Sequence, residues 1–476
     1  MNKPVDIFVP NLIAADEISR TVYLTNTEQY ALDRADVETW QLRAAQSRFE
    51  QLMPRVAALH DQAEQNKVTR VDQLDAIVPL LFNHTVYKSY PISLVEKNRF
   101  DMLTQWLQRS TTVDISGVDV SQCGGLDEWM ETLERETPLQ VYHTSGTSGK
   151  LSFFARTTLE RDLWNDGWVK MFEGIGDEPS IVLAQPDSPR LPVIYPSARF
   201  GRYMAQRLVK YLAEKVSPTP DQCYTMNNGT LSADLMTLSG RIRIAQAKGE
   251  LSKMKLSDAQ KIAMKRYLDE TEKRPAEMAA FFNVMMDKLK GKRVFIFSQS
   301  SYLTQAAKEG IARGVRGVFA PDSWANYGGG GKGVVLPDNW QELIHEFSGI
   351  SAFKQGYGMT EITGSMGMCP KGHYHFQKFV IPFLLTPDGS KALPREGRQT
   401  GRFGALDLAA QHLWGGLITG DKLTIEWDTA CGCGRKGAYV VGPISRYDES
   451  VTGDDKISCA ATVDNTDAAL QTLLAV

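Results

Sequence analysis

Hydrophobic residues recur at helical spacing over the first part of the chain. Between Val37 and Gln65 the apolar side chains follow one another at steps of about three and four residues, the pattern of a helix with one buried face. No glycine occurs between Met1 and Ile115, which also favours helix. We therefore expect a mostly helical N-terminal region over residues 1–140.

The pattern changes in the middle of the chain. Short apolar runs near Pro and Gly predict strands at Ser180–Ala184 and Leu191–Tyr195. The run Arg-Val-Phe-Ile-Phe at 293–297 predicts a buried strand, followed by a helical pattern at Thr304–Gly314 and another strand at Gly317–Ala320. Strands that alternate with helices indicate a parallel sheet, so the predicted fold class is α/β.

Lys, Glu and Met are abundant between residues 240 and 292, at spacings that predict solvated helices. From residue 376 onward short strands dominate, and we expect a small β-rich subdomain near residues 365–449.

Composition narrows the function classes. The 476 residues are 42% hydrophobic and 23% charged, with a net charge of −3, so the chain lacks the basic field of a nucleic-acid-binding protein. Apolar runs such as residues 181–184 are far shorter than the roughly 18 residues of a membrane span. Pro4, Asp6 and Pro10 interrupt the N-terminal segment, which does not read as a signal peptide, so we expect a cytoplasmic protein.

One short segment has the composition of an anion-binding loop. Residues 142–150 read Tyr-His-Thr-Ser-Gly-Thr-Ser-Gly-Lys, with two glycines and four hydroxyl side chains within six positions. Glycines let the backbone approach an anion, and hydroxyls and N–H groups can then bind phosphate oxygens. The segment is not a Walker A loop, which needs Gly at Thr144 and Ser or Thr at Leu151. The alternative is an ordinary surface turn.

A second constellation suggests a metal. Cys369 is followed by His373 and His375, and Cys431 is separated from Cys433 by one residue. Three thiolates and one imidazole would form a closed structural zinc shell. If Tyr374 lies on a strand, its two histidine neighbours share one face, so either could be the fourth ligand. The alternative is a set of free buried thiols.

Four segments together resemble the adenylate-forming superfamily of acyl-CoA synthetases, peptide-synthetase adenylation domains and luciferases. The phosphate-loop segment is followed, in the order of that superfamily, by Tyr-Gly-Met-Thr-Glu at 357–361, Thr-Gly-Asp at 419–421 and Arg-Tyr-Asp-Glu at 446–449. The resemblance covers roughly two-thirds of the chain, and any one of the motifs alone would be weak. It implies a large N-terminal-type domain of packed β-sheets flanked by helices.

The resemblance also implies roles for individual residues. Tyr357 would stack on adenine, Thr360 would bind the α-phosphate, Glu361 would hold Mg²⁺ and Asp421 would bind the ribose hydroxyls. Arg446 would lie near ribose or phosphate. Lys150 would neutralise phosphate, and His143 would either face the acid or be a packing residue. The remaining nucleotide-binding candidates are Thr144, Ser145, Gly146, Thr147, Ser148, Gly149, Gly329 and Gly330.

Further features point to a branch of the superfamily. Many members continue the phosphate loop with Pro-Lys, whereas Leu151 and Ser152 follow Lys150 here. Phenylacetate–CoA ligase-like enzymes also lack the lysine of Pro-Lys, and they carry Lys at the position of Lys150. The glycine-rich run at 327–333 resembles a segment of acyl-protein synthetases. The cysteine pattern resembles a structural zinc site of phenylacetate–CoA ligase-like proteins, in which His375 is the preferred histidine.

The family pattern departs at the end of the sequence. After Asp448 only 476 − 448 = 28 residues remain, and residues 450–476 resemble the start of the superfamily's small C-terminal domain, so we expect a truncated remnant there and an adenylate-forming core at 141–449. Asp454 and Asp455 compete with Asp448 and Glu449 for the position of the hinge.

The sequence predicts an AMP-forming ligase that uses ATP and Mg²⁺ to convert a carboxylic acid into acyl-AMP and then transfers the acyl group to a thiol, either of coenzyme A or of a protein. Two alternatives stay open. One is an acyl-protein synthetase subunit that passes its acyl group to a reductase or other partner. The other is a catalytically silent subunit that binds nucleotide or acyl groups.

Overall fold

A computed structural model describes residues 16–144, 150–250, 254, 256, 258–328 and 336–447. The chain divides into two compact units. The described part of the first comprises residues 16–142, 153–181 and 357–447, and that of the second comprises 143–144, 150–152 and most of 182–356. The domain bounds expected at residues 140 and 449 stay predictions.

Helices make up most of residues 16–136. The α-helices of the first unit are Asn26–Ala31, Arg34–Leu52, Ala57–Gln65, Ile92–Glu96, Phe100–Gln108, Leu126–Glu136 and Thr158–Lys170, and those of the second unit are Met204–Lys215, Ala233–Ala247, Asp258–Thr271, Arg274–Asn283, Ser300–Ala312 and Trp340–Ser348. Short 3₁₀ helices lie at Ser19–Tyr23, Leu74–Leu80, His84–Lys88 and Pro220–Gln222, with a π-helical turn at Val284–Lys288. The helical pattern between residues 37 and 65 is confirmed as two helices, which separate near Pro54 because proline removes a backbone donor.

The described strands, in chain order, are β1 (Phe82–Asn83), β2 (Leu139–His143), β3 (Phe153–Thr157), β4 (Val193–Gly201), β5 (Cys223–Leu231), β6 (Phe295–Gln299), β7 (Trp324–Gly328), β8 (Ala352–Lys354), β9 (Gly356–Tyr357), β10 (Met366–Gly367), β11 (Tyr374–His375), β12 (Val380–Leu385), β13 (Arg398–Asp407), β14 (Gly416–Glu426) and β15 (Tyr439–Arg446). Together with the helices they confirm the predicted α/β class.

The first unit is built on an antiparallel sheet. Its strands run in the order β11-β15-β14-β13-β12, and β1 pairs in parallel with β14 at Leu417 and Ile418. All six residues of β12 are buried, because the sheet packs against the helices of residues 34–65 in one apolar core. The β14–β15 register places Asp421 opposite Arg446. The sheet therefore brings two of the predicted motifs to one point.

The second unit contains the parallel sheet that the sequence predicted. Its order is β5-β4-β6-β7-β8, and every adjacent pair is parallel. Ile194, Ile296 and Ala325, on the three central strands, are buried in the core of this unit. Parallel strands need crossover connections, which the helices at 300–312 and 340–348 supply for the last three strands.

Two predicted strands are wrong. Residues 317–320 form no strand, because the backbone N–H groups of Gly317, Val318 and Phe319 donate to the carbonyls of residues 346–348 at the end of the helix Trp340–Ser348. Those carbonyls have no partner within their own helix, so the segment satisfies them instead of joining a sheet. Residues 180–184 also form no strand, and Ala184 there has a left-handed φ of 63°.

None of the described helices combines the length and the hydropathy that are needed to cross a membrane.

Candidate functional site

Three of the predicted nucleotide-binding residues meet at one carboxylate. The Tyr357 hydroxyl donates to Asp421 Oδ2 at 2.6 Å, and Arg446 Nε lies 3.0 Å from Asp421 Oδ1. Asp421 is 6% exposed, so its charge depends on these two partners. Burial and the neighbouring carboxylate raise the pKa of Tyr357 well above its ordinary value, so the phenol stays a hydrogen-bond donor.

The local sequence fixes the position of this carboxylate. The Thr419 hydroxyl accepts from the backbone N–H of Asp421 at 3.1 Å and donates to the carbonyl of Phe403 at 2.9 Å. Between them the Gly420 carbonyl accepts from the N–H of Tyr447 at 3.0 Å, one residue beyond Arg446. The Thr-Gly-Asp motif is thus a rigid part of β14, and it aims one carboxylate at a defined place.

Thr360 and Glu361 lie in the turn that follows β9. Thr360 is buried, and the Thr363 N–H two residues beyond Glu361 donates to Asp407 Oδ2 at 2.7 Å. Burial raises the pKa of Glu361, and the charge of Asp421 acts in the same direction, while Arg446 and Arg156 oppose both. These electrostatic couplings indicate that Glu361 belongs to the same charged cluster as Asp421.

The loop residues predicted to bind phosphate belong to the second unit. His143 donates its N–H to the carbonyl of Arg202 at 3.4 Å, and its ring lies 5.9 Å from that of Tyr203. Thr144 N–H donates to the carbonyl of Ser152 at 3.1 Å, and Ser152 N–H donates back to the Thr144 hydroxyl at 3.1 Å. These two hydrogen bonds link Thr144 to Ser152, which lie on either side of residues 145–150 in the sequence.

Several predicted residues lie outside the described part of the chain. They are Ser145, Gly146, Thr147, Ser148, Gly149, Gly329, Gly330, Asp448, Glu449 and the segment 450–476.

The four predicted zinc ligands lie together in the first unit. One donor atom from each of Cys369, His375, Cys431 and Cys433 lies within 4.8 Å of the other three. Cys369 Sγ lies 3.8 Å from Cys431 Sγ, and His375 Nε2 lies 3.3 Å from Cys433 Sγ. Two thiolates on one tetrahedral zinc, with bonds of about 2.3 Å, would be about 3.8 Å apart, so the donor set fits this metal.

A turn and a strand pairing hold these donors in place. Gly432 and Gly434 have φ values of 74° and 86°, a conformation that favours glycine, and the cysteines of this turn contact the other two donors, Cys431 through Cys369 and Cys433 through His375. Strand β11, which carries His375, pairs with β15, and Tyr30 donates its hydroxyl to the carbonyl of His375 at 3.1 Å.

The other histidine of the segment also reaches the cluster. His373 Nδ1 lies 3.0 Å from Cys431 Sγ. Burial raises the pKa of the Cys431 thiol and lowers the pKa of His375 to about 3, so both groups are neutral when no cation is bound. The choice of His375 over His373 as the zinc ligand stays a prediction.

Comparison with known proteins was made at three levels. No family model matches the sequence, and no curated protein matches it. Solved structures of CoA ligases do match it. A 2-hydroxyisobutyryl-CoA ligase in the postadenylation state with R3-HIB-AMP is 13% identical, with a TM-score of 0.47, over 86% of this chain and 67% of that chain.

The same ligase in complex with 2-HIB-AMP and CoA is 12% identical with a TM-score of 0.48, over 88% of this chain and 70% of that chain. An o-succinylbenzoate CoA synthetase from Bacillus subtilis is 12% identical with a TM-score of 0.31, over 64% of this chain and 49% of that chain. At these identities and TM-scores, function has to be argued from the residues of this chain.

Sequence reasoning missed two residues near Thr360 and Glu361. Arg156 donates to the Thr360 carbonyl. Burial raises the pKa of Tyr87, and the charge of Glu361 acts in the same direction. No motif marks these positions, although Arg156 is the one charged residue in the buried run from Leu151 to Thr157, which is a weak signal of a buried charge.

Proposed function

We propose that this chain activates a carboxylic acid with ATP, forming acyl-AMP and releasing pyrophosphate, and that the acyl group then passes to a thiol. The observation that carries the proposal is the convergence of Tyr357 and Arg446 on the buried Asp421 carboxylate. The three residues come from three separate segments that resemble motifs of one superfamily.

The donors and acceptors of the cluster suit a nucleoside. A carboxylate can accept from two vicinal ribose hydroxyls at once, which is the task proposed for Asp421. The Tyr357 ring offers an aromatic face to adenine, and the Arg446 guanidinium supplies positive charge beside the sugar and phosphates. Binding would replace the Tyr357 and Arg446 contacts of Asp421 by hydroxyl donors, so the carboxylate stays paired throughout.

The proposed reaction places few covalent demands on the protein. A carboxylate oxygen of the acid attacks the α-phosphorus of ATP, the bond from that phosphorus to the bridging oxygen breaks, and pyrophosphate leaves with the electron pair. In the second step a thiol sulfur attacks the acyl carbon, AMP leaves and the thiol proton is lost to a base. Position and charge stabilisation supply most of the catalysis in such a displacement.

The remaining residues have proposed roles in holding the phosphates. Thr360 would donate its hydroxyl to the α-phosphate, and Lys150 with the hydroxyl-rich loop at 144–149 would neutralise the other phosphates. Glu361 would bind Mg²⁺, which offsets phosphate charge when bound. The Cys369, His375, Cys431 and Cys433 cluster would hold a structural zinc, because all four donors of a closed shell come from the protein.

The proposal is tested by product analysis. The purified chain is incubated with MgATP and a panel of aliphatic, hydroxy and aromatic acids, and the nucleotides are identified by mass spectrometry. We expect an acyl-AMP and an equal amount of pyrophosphate with at least one acid. ATP binding without any acyl-AMP would instead favour the silent nucleotide-binding subunit.

A second arm identifies the acyl acceptor. Adding coenzyme A to the acyl-AMP complex should release AMP if the acceptor is this small thiol. Acyl-AMP that stays bound during gel filtration in the presence of coenzyme A, and is discharged by a carrier protein or reductase, would favour the acyl-protein synthetase alternative.

A further inference from the structure

Arg156 is a buried cation beside the Thr360–Thr363 turn. It lies near the end of β3, all five residues of which are buried, and it is 4% exposed. Its Nη2 donates to the carbonyl of Thr360, and its Nη1 lies 3.5 Å from the Thr363 hydroxyl. One planar guanidinium therefore reaches both ends of the turn that carries Glu361.

The same turn has a second support. Asp407 accepts the N–H of Thr363 through Oδ2 at 2.7 Å and the N–H of Ala409 through Oδ1 at 2.9 Å. Burial raises the pKa of Asp407, whereas the bond from Thr363 and the charge of Arg156 oppose that rise. Asp407 and Arg156 thus hold the turn from two strands of one unit.

The cost of burying a guanidinium calls for an explanation. An arginine side chain loses hydration on burial, and it is retained only where charge or several acceptors offset that loss. Here the acceptors are one carbonyl and one distant hydroxyl, and Arg156 Nε has no hydrogen-bond partner. The Tyr142 ring, whose centroid is 5.9 Å from Arg156 Cζ, supplies part of the offset. The charges of Glu361 and Asp407 also act on Arg156.

We propose that Arg156 is a positioning residue for the ATP-dependent reaction: by binding both ends of the Thr360–Thr363 turn, it fixes the position of the Glu361 carboxylate that would bind Mg²⁺. This inference rests on the proposed function. Arg156 lies outside the four motifs, yet it would influence how the reaction depends on the metal.

The geometry of the turn specifies the expected effect. Arg156 contacts Thr360 and Thr363, and Glu361 lies between these two residues. Removing Arg156 should therefore loosen the turn, displace the Glu361 carboxylate and weaken metal binding. A purely structural arginine would affect stability and overall rate without a specific change in the metal requirement.

The experiment compares Arg156→Gln and Arg156→Lys with a matched control, Arg395→Gln. Arg395 is also largely buried, donates to the carbonyl of Pro382 and pairs with Glu38 at 3.0 Å, and neither partner is a predicted site residue. The readout is the Mg²⁺ requirement, measured without any acid as the Mg²⁺ concentration that gives half-maximal ATP binding in calorimetric titrations, and again as the concentration that gives half-maximal acid-dependent ATP–pyrophosphate exchange at saturating ATP.

We expect Arg156→Gln to raise this Mg²⁺ requirement by about tenfold or more, Arg156→Lys by an intermediate factor, and Arg395→Gln by less than about twofold. A requirement in Arg156→Gln equal to that of the control, whatever the loss of rate, would overturn the inference. Should Arg156→Gln fail to fold, Arg156→Lys decides the matter, since an unchanged requirement in a folded lysine variant contradicts the proposal.

Failure of the proposed function gives a different result. A wild-type chain that shows no exchange with any acid and no binding of MgATP refutes the reaction itself, and this inference with it. Exchange in the wild type with unchanged metal dependence in both Arg156 variants refutes only the role of Arg156.

Discussion

The Asp421 cluster and the Cys369 cluster lie in the same unit but solve the burial of polar groups in opposite ways. Asp421 is paired with Tyr357 and Arg446, so its charge is compensated before any ligand binds. Cys369, Cys431 and Cys433 lie beside one another and two imidazoles. Burial raises the pKa of Cys431, whereas the backbone and guanidinium of Arg435 lower the pKa of Cys433 against the effect of burial. Such an arrangement gains most when a cation enters.

The difference predicts two kinds of dependence on ligand. A cluster that is already paired can release and take up a nucleotide repeatedly at little cost to the fold. A cluster of three cysteines and a histidine whose Cys431 thiol is neutral without a cation should keep its metal as part of the folded structure. The first behaviour suits a substrate site, and the second suits a structural one.

The largest expected effect comes from breaking the thiol cluster. A Cys431→Ser/Cys433→Ser protein should lose its zinc, from about one per chain to near zero, and should lose more than about 3 kcal/mol of unfolding free energy, because metal binding contributes to folding. Metal analysis and thermal unfolding measure the two effects.

Cys123→Ser is the matched control for that variant, since Cys123 is a buried free cysteine of the same unit outside the cluster. It should keep the zinc. Zinc retained by the double variant, or absent from the wild type purified without added metal, would contradict the assignment.

Glu160 and His412 form a third buried cluster, for which no ligand is expected. It shows the effect of charge compensation on stability without any contribution from ligand binding. Glu160 Oε2 lies 2.9 Å from His412 Nε2, and its carboxylate also accepts from the N–H groups of Thr157 and Gln411. Burial alone would raise the pKa of Glu160, but His412 and these donors lower it to about 2. The pair should therefore contribute to stability at neutral pH.

The sign of the pH dependence follows from the lowered pKa. The contribution of Glu160 is fully present above the ordinary carboxyl pKa of about 4.5 and is lost as the pH falls toward 2. Glu160→Gln should cost roughly 3 kcal/mol of unfolding free energy at pH 7 and much less near pH 3. Denaturant unfolding at both values measures this, and a cost that does not change with pH would show that the ion pair contributes little.

Removing the carboxylate of the paired cluster should affect binding more than folding. Asp421→Ala should weaken ATP binding by more than tenfold, at least about 1.4 kcal/mol, because the ribose hydroxyls lose their acceptor. Titration calorimetry with MgATP measures the affinity, and the thermal midpoint serves as the control for folding. Unchanged affinity in a folded variant would remove the ribose assignment.

The smallest effect distinguishes the Tyr357 ring from its hydroxyl. If the ring stacks on adenine and the hydroxyl serves mainly to pair Asp421, Tyr357→Phe should keep ATP affinity within about threefold, whereas Tyr357→Ala should lose about tenfold. The same calorimetric titration compares the two variants. An equal loss in both would assign the binding to the hydroxyl and not to the ring.

The motifs single out residues of both clusters but do not show which residues contact one another. Asp421 and Arg446 belong to separate motifs, and only the β14–β15 register shows that they face each other. Register depends on the pairing of whole strands, which a short motif does not encode. The cysteine cluster was easier to predict, because each half occupies a few consecutive residues and thiols with imidazoles have few other joint uses.

Arg156 shows what a motif cannot reveal. Its neighbours in sequence are buried residues of β3, and its partners, Thr360 and Thr363, lie about 200 residues away. The absence of the predicted strand at residues 317–320 has a similar cause. The N–H groups of this segment donate to the carbonyls at the end of a helix nearly thirty residues later in the sequence. In both cases a distant backbone decides the local structure.

The role of the Asp421 cluster in adenylation is tested most directly by acid-dependent ATP–pyrophosphate exchange. The wild type should incorporate labelled pyrophosphate into ATP only when a carboxylic acid from the panel is present, and Asp421→Ala should reduce the rate by more than about tenfold at subsaturating ATP. Equal exchange by the wild type and a folded Asp421→Ala variant would place the reaction elsewhere in the molecule. No exchange with any acid, by a wild-type chain that binds MgATP, would contradict the account.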